Sequence, residues 1–344
     1  MKSKKIVAVV MIVFTIMLSS FSFYTYQILT TPNILVDKPD QYFAINKGTT
    51  FKQLQNQLYD ERIVNDLVSF SLLAKFKGLD DNIKNGMYLF KKDMSNTAAI
   101  NMLRSGLQSP VRLTFNSARK IGELSAKLTA NLEIDSMAMV PYLLSDSVAR
   151  IYGFDSLNFI GMFLPNTYEV YWTMTPKEIL DRMKFEYDRY WNDRRRKKAD
   201  SIGLTPQQVT TLASIVDSET NLMTEAPTIA GVYLNRIRQG YPLQADPTLV
   251  FALNDFTIRR VLDVHKQTDS PYNTYKYRGL PPGPIMMPSI SAVEAVLKAE
   301  NHRFLYFCAK DDFSGYHAFA RNLEDHNINA RKFQRALNQQ RIYK

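Results

Sequence analysis

The chain has 344 residues and a formal net charge of +10, and 45% of its residues are hydrophobic. Its one cysteine, Cys308, excludes an internal disulfide framework, and we interpret it as a small core residue. A chain of this length buries a core without disulfides. The four histidines show no metal-ligand spacing, so we predict neither a metal nor another cofactor. The positive charge favours an anionic polymer or a membrane surface as partner.

The N-terminus predicts a membrane anchor. Three lysines within residues 1–5 precede an uncharged apolar run over residues 6–29, and about 20 apolar residues are enough to cross a bilayer. The positive-inside rule then makes residues 1–5 a cytoplasmic tail and 6–29 a single membrane span, with the rest of the chain outside the cytoplasm. A cleaved signal peptide is the alternative, but the run is long and no cleavage site follows it. This location argues against nucleic acid as a partner.

A small module is predicted after the span. Residues 30–40 contain two prolines and indicate a tether. Within residues 41–106, hydrophobic periodicity predicts a strand, two helices and a second strand, followed by a helix that ends at Gly106. This order resembles the LysM-type glycan-binding module, and a purely structural module is the alternative.

Residues 110–344 predict a second, mixed domain. We expect strands at 111–115 and near 168–172, helices at 120–132 and 177–200, a hairpin over 304–309 and 316–319, and a last helix from Leu323. The predicted fold class is therefore α+β, with one transmembrane helix, a small LysM-like module and a mixed α+β domain.

Glu219 ends a predicted helix over residues 205–219. Thr205, Pro206 and Gln208 form the N-terminal signature of that helix, a capping box with proline at the first position. Glu219 continues an apolar stripe, whose other members lie three, four and seven positions earlier: Val216, Ile215 and Leu212. Burial raises the pKa of a carboxyl group, which favours a general acid. The alternative is a glutamate at the edge of the stripe that reaches solvent or pairs with an arginine.

Asp217 lies about 200° around the same helix from Glu219, so it points away.

Further polar residues follow in stiff, proline-rich loops, the kind of loop that suits a sugar-binding cleft. The candidates for holding a glycan are Gln244, Asp246, Tyr272, Asn273, Tyr275 and His317. Capping a helix is an equal alternative for Asp246, and packing within the hairpin is one for His317. Asn235 and Arg236, on a helix predicted at 226–239, are supporting candidates.

These motifs occur together in one order. The chain has Leu-Ala-Ser-Ile-Val-x-x-Glu at 212–219, Gly-Val-Tyr-Leu-Asn-Arg at 231–236, Leu-Gln-Ala-Asp-Pro-Thr at 243–248, Tyr-Asn-Thr-Tyr at 272–275, Gly-Leu-Pro-Pro-Gly-Pro-Ile at 279–285 and Gly-x-His-x-Phe at 315–319. In this it resembles the YceG-like family of endolytic murein transglycosylases. The resemblance covers nearly the whole chain.

The resemblance implies an inner-membrane enzyme with a periplasmic LysM-like subdomain and a catalytic domain over 110–344. Such enzymes cut the bond between N-acetylmuramic acid and N-acetylglucosamine in nascent peptidoglycan and leave a 1,6-anhydro end. The family's catalytic glutamate carries over to Glu219. Family members often have Glu-x-Glu here, and this chain has Asp217 in the first position. The resemblance also implies partnership with peptidoglycan synthases.

One carboxyl group suffices for such a lyase, because the substrate's own C6 hydroxyl attacks. We hypothesise that Glu219 acts first as acid and then as base. Two alternatives stay open at this point: a hydrolase that uses Asp246 as a second carboxylate, and a non-catalytic scaffold tethered to the membrane.

Overall fold

A computed structural model of the chain describes residues 2–36, 40–258 and 260–340. The fold is mixed α+β, as predicted. The chain forms two compact units. The first comprises Met1–Arg112, Asn131–Glu133 and Glu169–Met174, and the second comprises Leu113–Ala130, Ile134–Tyr168 and Thr175–Lys344.

The first unit begins with a long apolar helix and continues as a small α+β core. Its elements are α1 (Lys2–Thr30), β1 (Asp40–Ile45), α2 (Phe51–Asp60), α3 (Leu67–Phe76), β2 (Gly86–Lys91) and α4 (Asn96–Ser105). From Lys4 to Thr30, α1 is long and apolar enough to cross a membrane. The rest of the protein does not bury the most apolar stretch of this helix. This property is consistent with a single-pass anchor.

The order strand, helix, helix, strand is confirmed. β1 and β2 pair antiparallel, from Asp40 opposite Lys91 to Ile45 opposite Gly86. Phe43 and Phe90 meet edge to face across this pair, with ring centroids 5.5 Å apart. The packing of such aromatic pairs stabilises the core beyond the area that they bury. Gly106 ends α4 in the left-handed region, as expected for a C′ glycine.

Part of the segment predicted as a tether is packed. Ile34 and Val36 are buried in the core of the first unit. Ile34 also forms an isolated bridge with Val64. Residues 37–39 of the predicted tether and residue 1 of the predicted tail lie outside the described residues.

The remaining elements follow in chain order and are mostly short helices. They are β3 (Val111–Phe115), α5 (Ile121–Leu128), α6 (Ser136–Leu144), α7 (Asp146–Ile151), a 3₁₀ turn (Phe159–Met162), β4 (Asn166–Val170), α8 (Pro176–Tyr190), α9 (Asp193–Ser201), α10 (Pro206–Glu219), α11 (Ala226–Arg238), α12 (Asp246–Leu253), α13 (Asp263–Lys266), α14 (Ile290–Leu297), β5 (Tyr306–Ala309), β6 (His317–Ala320) and α15 (Leu323–Gln339). β3 pairs with β4, and β5 with β6.

The helix predicted over 177–200 is wrong as one element, because the chain forms α8 and α9 instead. Trp191 is buried between them. The side chain of Asn192 accepts a hydrogen bond from the backbone N–H of Arg195 at 3.1 Å and so begins a new helix. The helix predicted over 120–132 also ends earlier, at Leu128.

α10 is the central helix of the second unit. Every residue from 209 to 216 is buried, and α10 packs against α11 and α14. Thr205 and Gln208 form the predicted capping box. This buried helix places Glu219, its last residue, at the edge of the core.

Gly283 is packed so closely against the backbone of Leu157 that there is no room for a side chain. A Cβ at this position would lie 2.0 Å from the carbonyl oxygen of Leu157, which is backbone and cannot swing aside. We expect Gly283→Ala to lower the free energy of unfolding by about 1–3 kcal/mol, measured by chemical denaturation of the purified protein. Gly122→Ala is the matched control, because Gly122 lies in α5 with no atom near its Cβ position. Equal stabilities of the two variants would contradict the expected clash.

Candidate active site

Glu219 is held from its own helix and from the next one. α10 ends at Glu219 because Thr220 adopts an extended backbone. The hydroxyl of Tyr233, in α11, donates a hydrogen bond of 2.7 Å to Oε1 of Glu219. The second carboxyl oxygen, Oε2, is thus the one available to carry a proton toward a ligand.

The surroundings of Glu219 favour its neutral form. Burial raises the pKa of its carboxyl group to about 7, and the nearby charge of Asp246 acts in the same direction. The hydrogen bond from Tyr233 and the charge of Arg236 oppose this rise. Glu219 is therefore poised to give and to take a proton near neutral pH.

Two cavities meet at Glu219 and Asp246, which line both. The first, of about 370 Å³, is lined by both carboxylates together with Tyr233, Arg236, Gln244, Tyr275, Tyr306, Phe307, Cys308, Ala309, His317, Leu323 and His326. The second, of about 330 Å³, is more apolar and is lined by both carboxylates with Arg119, Ser218, Pro247, Val250, Phe251, Phe256, Ile258, Val261 and Ile285. A chain of sugars could pass the two carboxylates with residues on either side.

Asp246 faces the site and does not cap a helix. It is the first residue of α12, whose N-cap is Ala245 without a side-chain bond. The hydroxyl of Tyr275 donates a hydrogen bond of 2.5 Å to Oδ1 of Asp246. The structure therefore places a second carboxylate close to Glu219, on the wall of both cavities.

Arg236 and Asn235 connect α11 to neighbouring loops. Nε of Arg236 donates to the carbonyl of Leu305 and Nη1 to that of Leu243, each at 2.6 Å. Arg236 lines the first cavity, whereas Asn235 does not. The Asn235 amide donates instead to the carbonyls of His302 and Phe304, at 2.8 and 3.1 Å. Asn235 thus positions the segment before β5.

Gln244 is an exposed side chain on the first cavity. Its φ of 51° lies in the left-handed region, which is strained for a residue with a side chain. Its backbone N–H donates to the carbonyl of Thr274 at 3.0 Å. The hydroxyl of Thr274 accepts a hydrogen bond from the N–H of Ala245 at 3.0 Å. These bonds fix the loop that carries Gln244 and Asp246.

Tyr272 and Asn273, predicted as glycan contacts, are not among the residues that line either cavity. Asn273 is fully buried. Its amide donates to the carbonyls of Lys266 and Thr268, at 2.9 and 2.7 Å, and its Oδ1 accepts from the N–H of Tyr275 at 3.0 Å. The ring of Tyr272 packs against Phe251. Both residues shape the loop that presents Tyr275.

His317, which lines the first cavity, pairs with the buried Glu225. Nδ1 of His317 lies 2.8 Å from Oε1 of Glu225, and the backbone N–H of His317 donates to Oε2 at 3.0 Å. The hydroxyl of Thr220 also donates to Oε1, at 2.7 Å. Glu225 therefore orients the histidine that lines the cavity.

Replacing Glu225 tests this pair. Glu225→Gln puts an amide nitrogen at the position of Oε1 or Oε2, so either the backbone N–H of His317 loses its acceptor or the bonds to His317 Nδ1 and Thr220 must rearrange. We expect about 1–3 kcal/mol lower stability toward chemical denaturation. The control is Glu300→Gln, because Glu300 is an exposed carboxylate that binds Thr228 at 2.7 Å. Equal stability of the two variants would show that the pair is dispensable.

Asp217 points away from the site, as predicted. Its carboxylate accepts hydrogen bonds from the backbone N–H and the hydroxyl of Ser289, at 2.8 and 2.9 Å. Ser289 is the N-cap of α14. Asp217 thus connects α10 to α14.

The structure brings together six of the predicted residues: Glu219, Arg236, Gln244, Asp246, Tyr275 and His317. Sequence reasoning missed two others, Tyr233 and Glu225. Tyr233 had a signal, since it lies in the Gly-Val-Tyr-Leu-Asn-Arg motif, but a tyrosine at that position is equally typical of the apolar face of a helix. Within residues 2–36, 40–258 and 260–340, no group of three or more His, Cys, Asp or Glu side chains could hold a metal ion.

Known proteins with similar sequences point to one family. The profile of the YceG-like family matches residues 43–332. A protein of Streptococcus pneumoniae named endolytic murein transglycosylase is 27% identical, over 92% of this chain and 63% of its own length. A protein of Bacillus subtilis with the same name is 25% identical, over 84% of this chain and 83% of its own. The chain thus spans less than two thirds of the length of the streptococcal relative.

The fold has a solved counterpart. The crystal structure of a YceG-like protein of Listeria monocytogenes superposes with a TM-score of 0.56, at 24% identity, over 85% of this chain and 99% of that one. At this identity the superposition concerns the fold alone. The family profile covers 290 of the 344 residues, counted from 43 to 332. The chain therefore belongs to the YceG-like family.

Proposed function

We propose that this chain is a membrane-anchored lytic transglycosylase that cuts peptidoglycan strands internally, between N-acetylmuramic acid and N-acetylglucosamine. The names of its streptococcal and Bacillus relatives support the reaction. One observation carries the proposal to this chain: Glu219, whose pKa burial raises to about 7, stands where two cavities meet. A carboxyl group in that place can reach a bond inside a bound strand.

The reaction uses Glu219 twice. Its proton passes from Oε2 to the glycosidic oxygen as the bond from C1 of the muramic sugar to that oxygen breaks. The C6 hydroxyl of the same sugar then bonds to C1, and its proton returns to the Glu219 carboxylate. No water is consumed, so the product carries a 1,6-anhydro end. Tyr233 holds Oε1 in place throughout, which preserves the geometry that the transfer needs.

Hydrolysis is a second candidate, because Asp246 lines the same two cavities as Glu219. A second carboxylate in that position could activate water or stabilise the positive charge that develops at C1. We favour the lyase because both relatives are named transglycosylases and because the hydroxyl of Tyr275 already donates to Oδ1 of Asp246. Asp246 would then stabilise charge at C1 without delivering water.

The isotope in the product separates the two reactions. The full chain in detergent is mixed with uncrosslinked peptidoglycan strands in water enriched in heavy oxygen, and the new ends are identified by mass spectrometry. We expect unlabelled anhydro ends. Labelled reducing ends would establish hydrolysis and overturn the lyase. Asp217→Asn is the matched control, since Asp217 is an acidic residue on the same helix that faces Ser289.

We further propose a location and a domain organisation for the chain. Residues 1–5 form a cytoplasmic tail, 6–29 span the inner membrane, 30–40 connect the span to the folded part, and 110–344 form a periplasmic catalytic domain. Residues 41–106 form a LysM-like module, supported by the antiparallel pairing of β1 with β2 around two helices. Nascent strands are supplied by peptidoglycan synthases, which are therefore candidate partners.

A further inference from the structure

α3 carries an apolar stripe on its outer face. Val68, Leu72 and Phe76 are 76%, 61% and 88% exposed. Because they are spaced by four residues, they lie along one side of the helix. The opposite side packs into the core of the first unit, through Phe70 and Leu73. Soluble surfaces rarely expose an aligned set of large apolar side chains, so the stripe marks a contact surface.

The first turn of α3 is tied to the end of α1. Asn33 lies three residues after α1, and its Oδ1 accepts a hydrogen bond from the backbone N–H of Asp66, the N-cap of α3, at 2.7 Å. The Asn33 amide donates to the carbonyl of Asp66 at 2.9 Å. Asn96 donates both to the carbonyl of Ile28, in α1, and to the hydroxyl of Ser69, in α3, each at 3.2 Å. The stripe therefore begins beside the last turn of the apolar helix.

That position corresponds to the lipid headgroups if α1 spans the membrane. The headgroup layer is about 5–8 Å thick on each side of the hydrocarbon. Tyr24 and Tyr26 are exposed and of the type enriched at this depth. Thr30 lies four residues beyond Tyr26, about 6 Å along the helix. Lys75, exposed on α3, can reach lipid phosphates while the apolar side chains enter the layer below.

We propose that α3 lies on the outer surface of the membrane, with Val68, Leu72 and Phe76 inserted among the lipids. The occupant of the stripe is then the bilayer that α1 crosses, and the first unit is held down at two points, the span and α3. The stripe belongs to the first unit, whereas Glu219 and Asp246 belong to the second. The insertion of α3 rests on the membrane anchor proposed above and not on the reaction.

Environment-sensitive labels test the contact in the full chain. On a Cys308→Ala background, the dye NBD is attached to Leu72→Cys, to Val13→Cys in α1, or to Lys47→Cys. Lys47 is exposed and follows β1, at the end of that strand remote from residue 40. The proteins are reconstituted into vesicles of phosphatidylethanolamine and phosphatidylglycerol, with or without lipids that carry a nitroxide near the headgroup.

We expect the dye at Leu72 to emit at shorter wavelength than at Lys47 and to lose intensity with the nitroxide lipid. Equal emission at Leu72 and Lys47 would overturn the proposal. So would blue-shifted emission at Leu72 without quenching, because the stripe would then be covered by protein, such as a second copy. If the dye at Val13 also reports water, the anchor itself is wrong. Equal melting temperatures of the labelled proteins establish that each is folded.

Discussion

Replacing Glu219 by glutamine is expected to lower the rate of strand cleavage by about 10²- to 10⁴-fold, the usual contribution of a general acid. Glutamine keeps the size of the side chain and can still accept a hydrogen bond from Tyr233, but it has no proton to give. The measurement is the rate at which anhydro ends form on uncrosslinked strands at neutral pH. Wild-type rates in Glu219→Gln would end the assignment of Glu219 as the acid.

The same variant is expected to be more stable than the wild type in alkaline solution. An unfolded glutamate ionises near pH 4.3, whereas the pKa of Glu219 in the fold is about 7. The folded state thus binds the proton more tightly, and this advantage is present below pH 4 and lost as the pH rises through 7. Glutamine has no charge to bury. We expect a gain of up to about 3 kcal/mol above pH 7 and none at pH 4.

Chemical denaturation at both pH values measures this gain. Asp217→Asn is the control, because Asp217 lies on the same helix but outside the cavities. A gain that is the same at pH 4 and pH 8 would show that burial of the charge is not its cause. Lower activity together with higher stability in one variant would indicate that the site is kept at some cost to the fold.

Changing the two neighbours of Glu219 is expected to move its titration in opposite directions. Tyr233→Phe removes the hydroxyl whose hydrogen bond lowers the pKa of Glu219, so that pKa rises. Asp246→Asn removes a neighbouring negative charge that raises it, so the pKa falls. Activity requires the protonated acid and declines above this pKa. The decline should move up by about one pH unit in the first variant and down by about one in the second.

The pH dependence of kcat/KM measures both shifts, since it reports the free enzyme. Tyr241→Phe is the control for the first variant, because Tyr241 is 45% exposed and outside both cavities. Shifts in the same direction would contradict the assigned causes. Loss of activity at every pH in Asp246→Asn would show that the reaction itself needs this carboxylate, whether it stabilises charge at C1 or activates water.

The local parts of the fold were predictable because their signals lie within a few residues. The capping box at Thr205 and Gln208 and the apolar period of α10 define a helix without reference to the rest of the chain. Local signals also predicted the end of α4 at Gly106 and the two strands that flank α2 and α3 in the first unit. The helix predicted over 177–200 failed because the buried Trp191 and the cap at Asn192 interrupt an otherwise helical composition.

The polar loop residues were harder to interpret. An asparagine in a loop can bind a ligand or bind the backbone, and its type and spacing are the same in both cases. Asn273 binds the backbone and Gln244 lines the cavity, although both occur in similar proline-rich segments. Only the tertiary structure shows whether such a side chain binds the backbone or lines the cavity.

The sequence by itself determined the long apolar helix and the capped helix that ends in Glu219. It also determined that Asp217 points away from Glu219 on that helix. These follow from composition, capping and a period of 3.6 residues, which are local properties. The tertiary structure decided that Tyr233 and Asp246 meet Glu219, that Glu225 orients His317, and that the pKa of Glu219 is raised to about 7. The reason is that a pKa depends on burial and on nearby charges, which come from segments far apart in the chain.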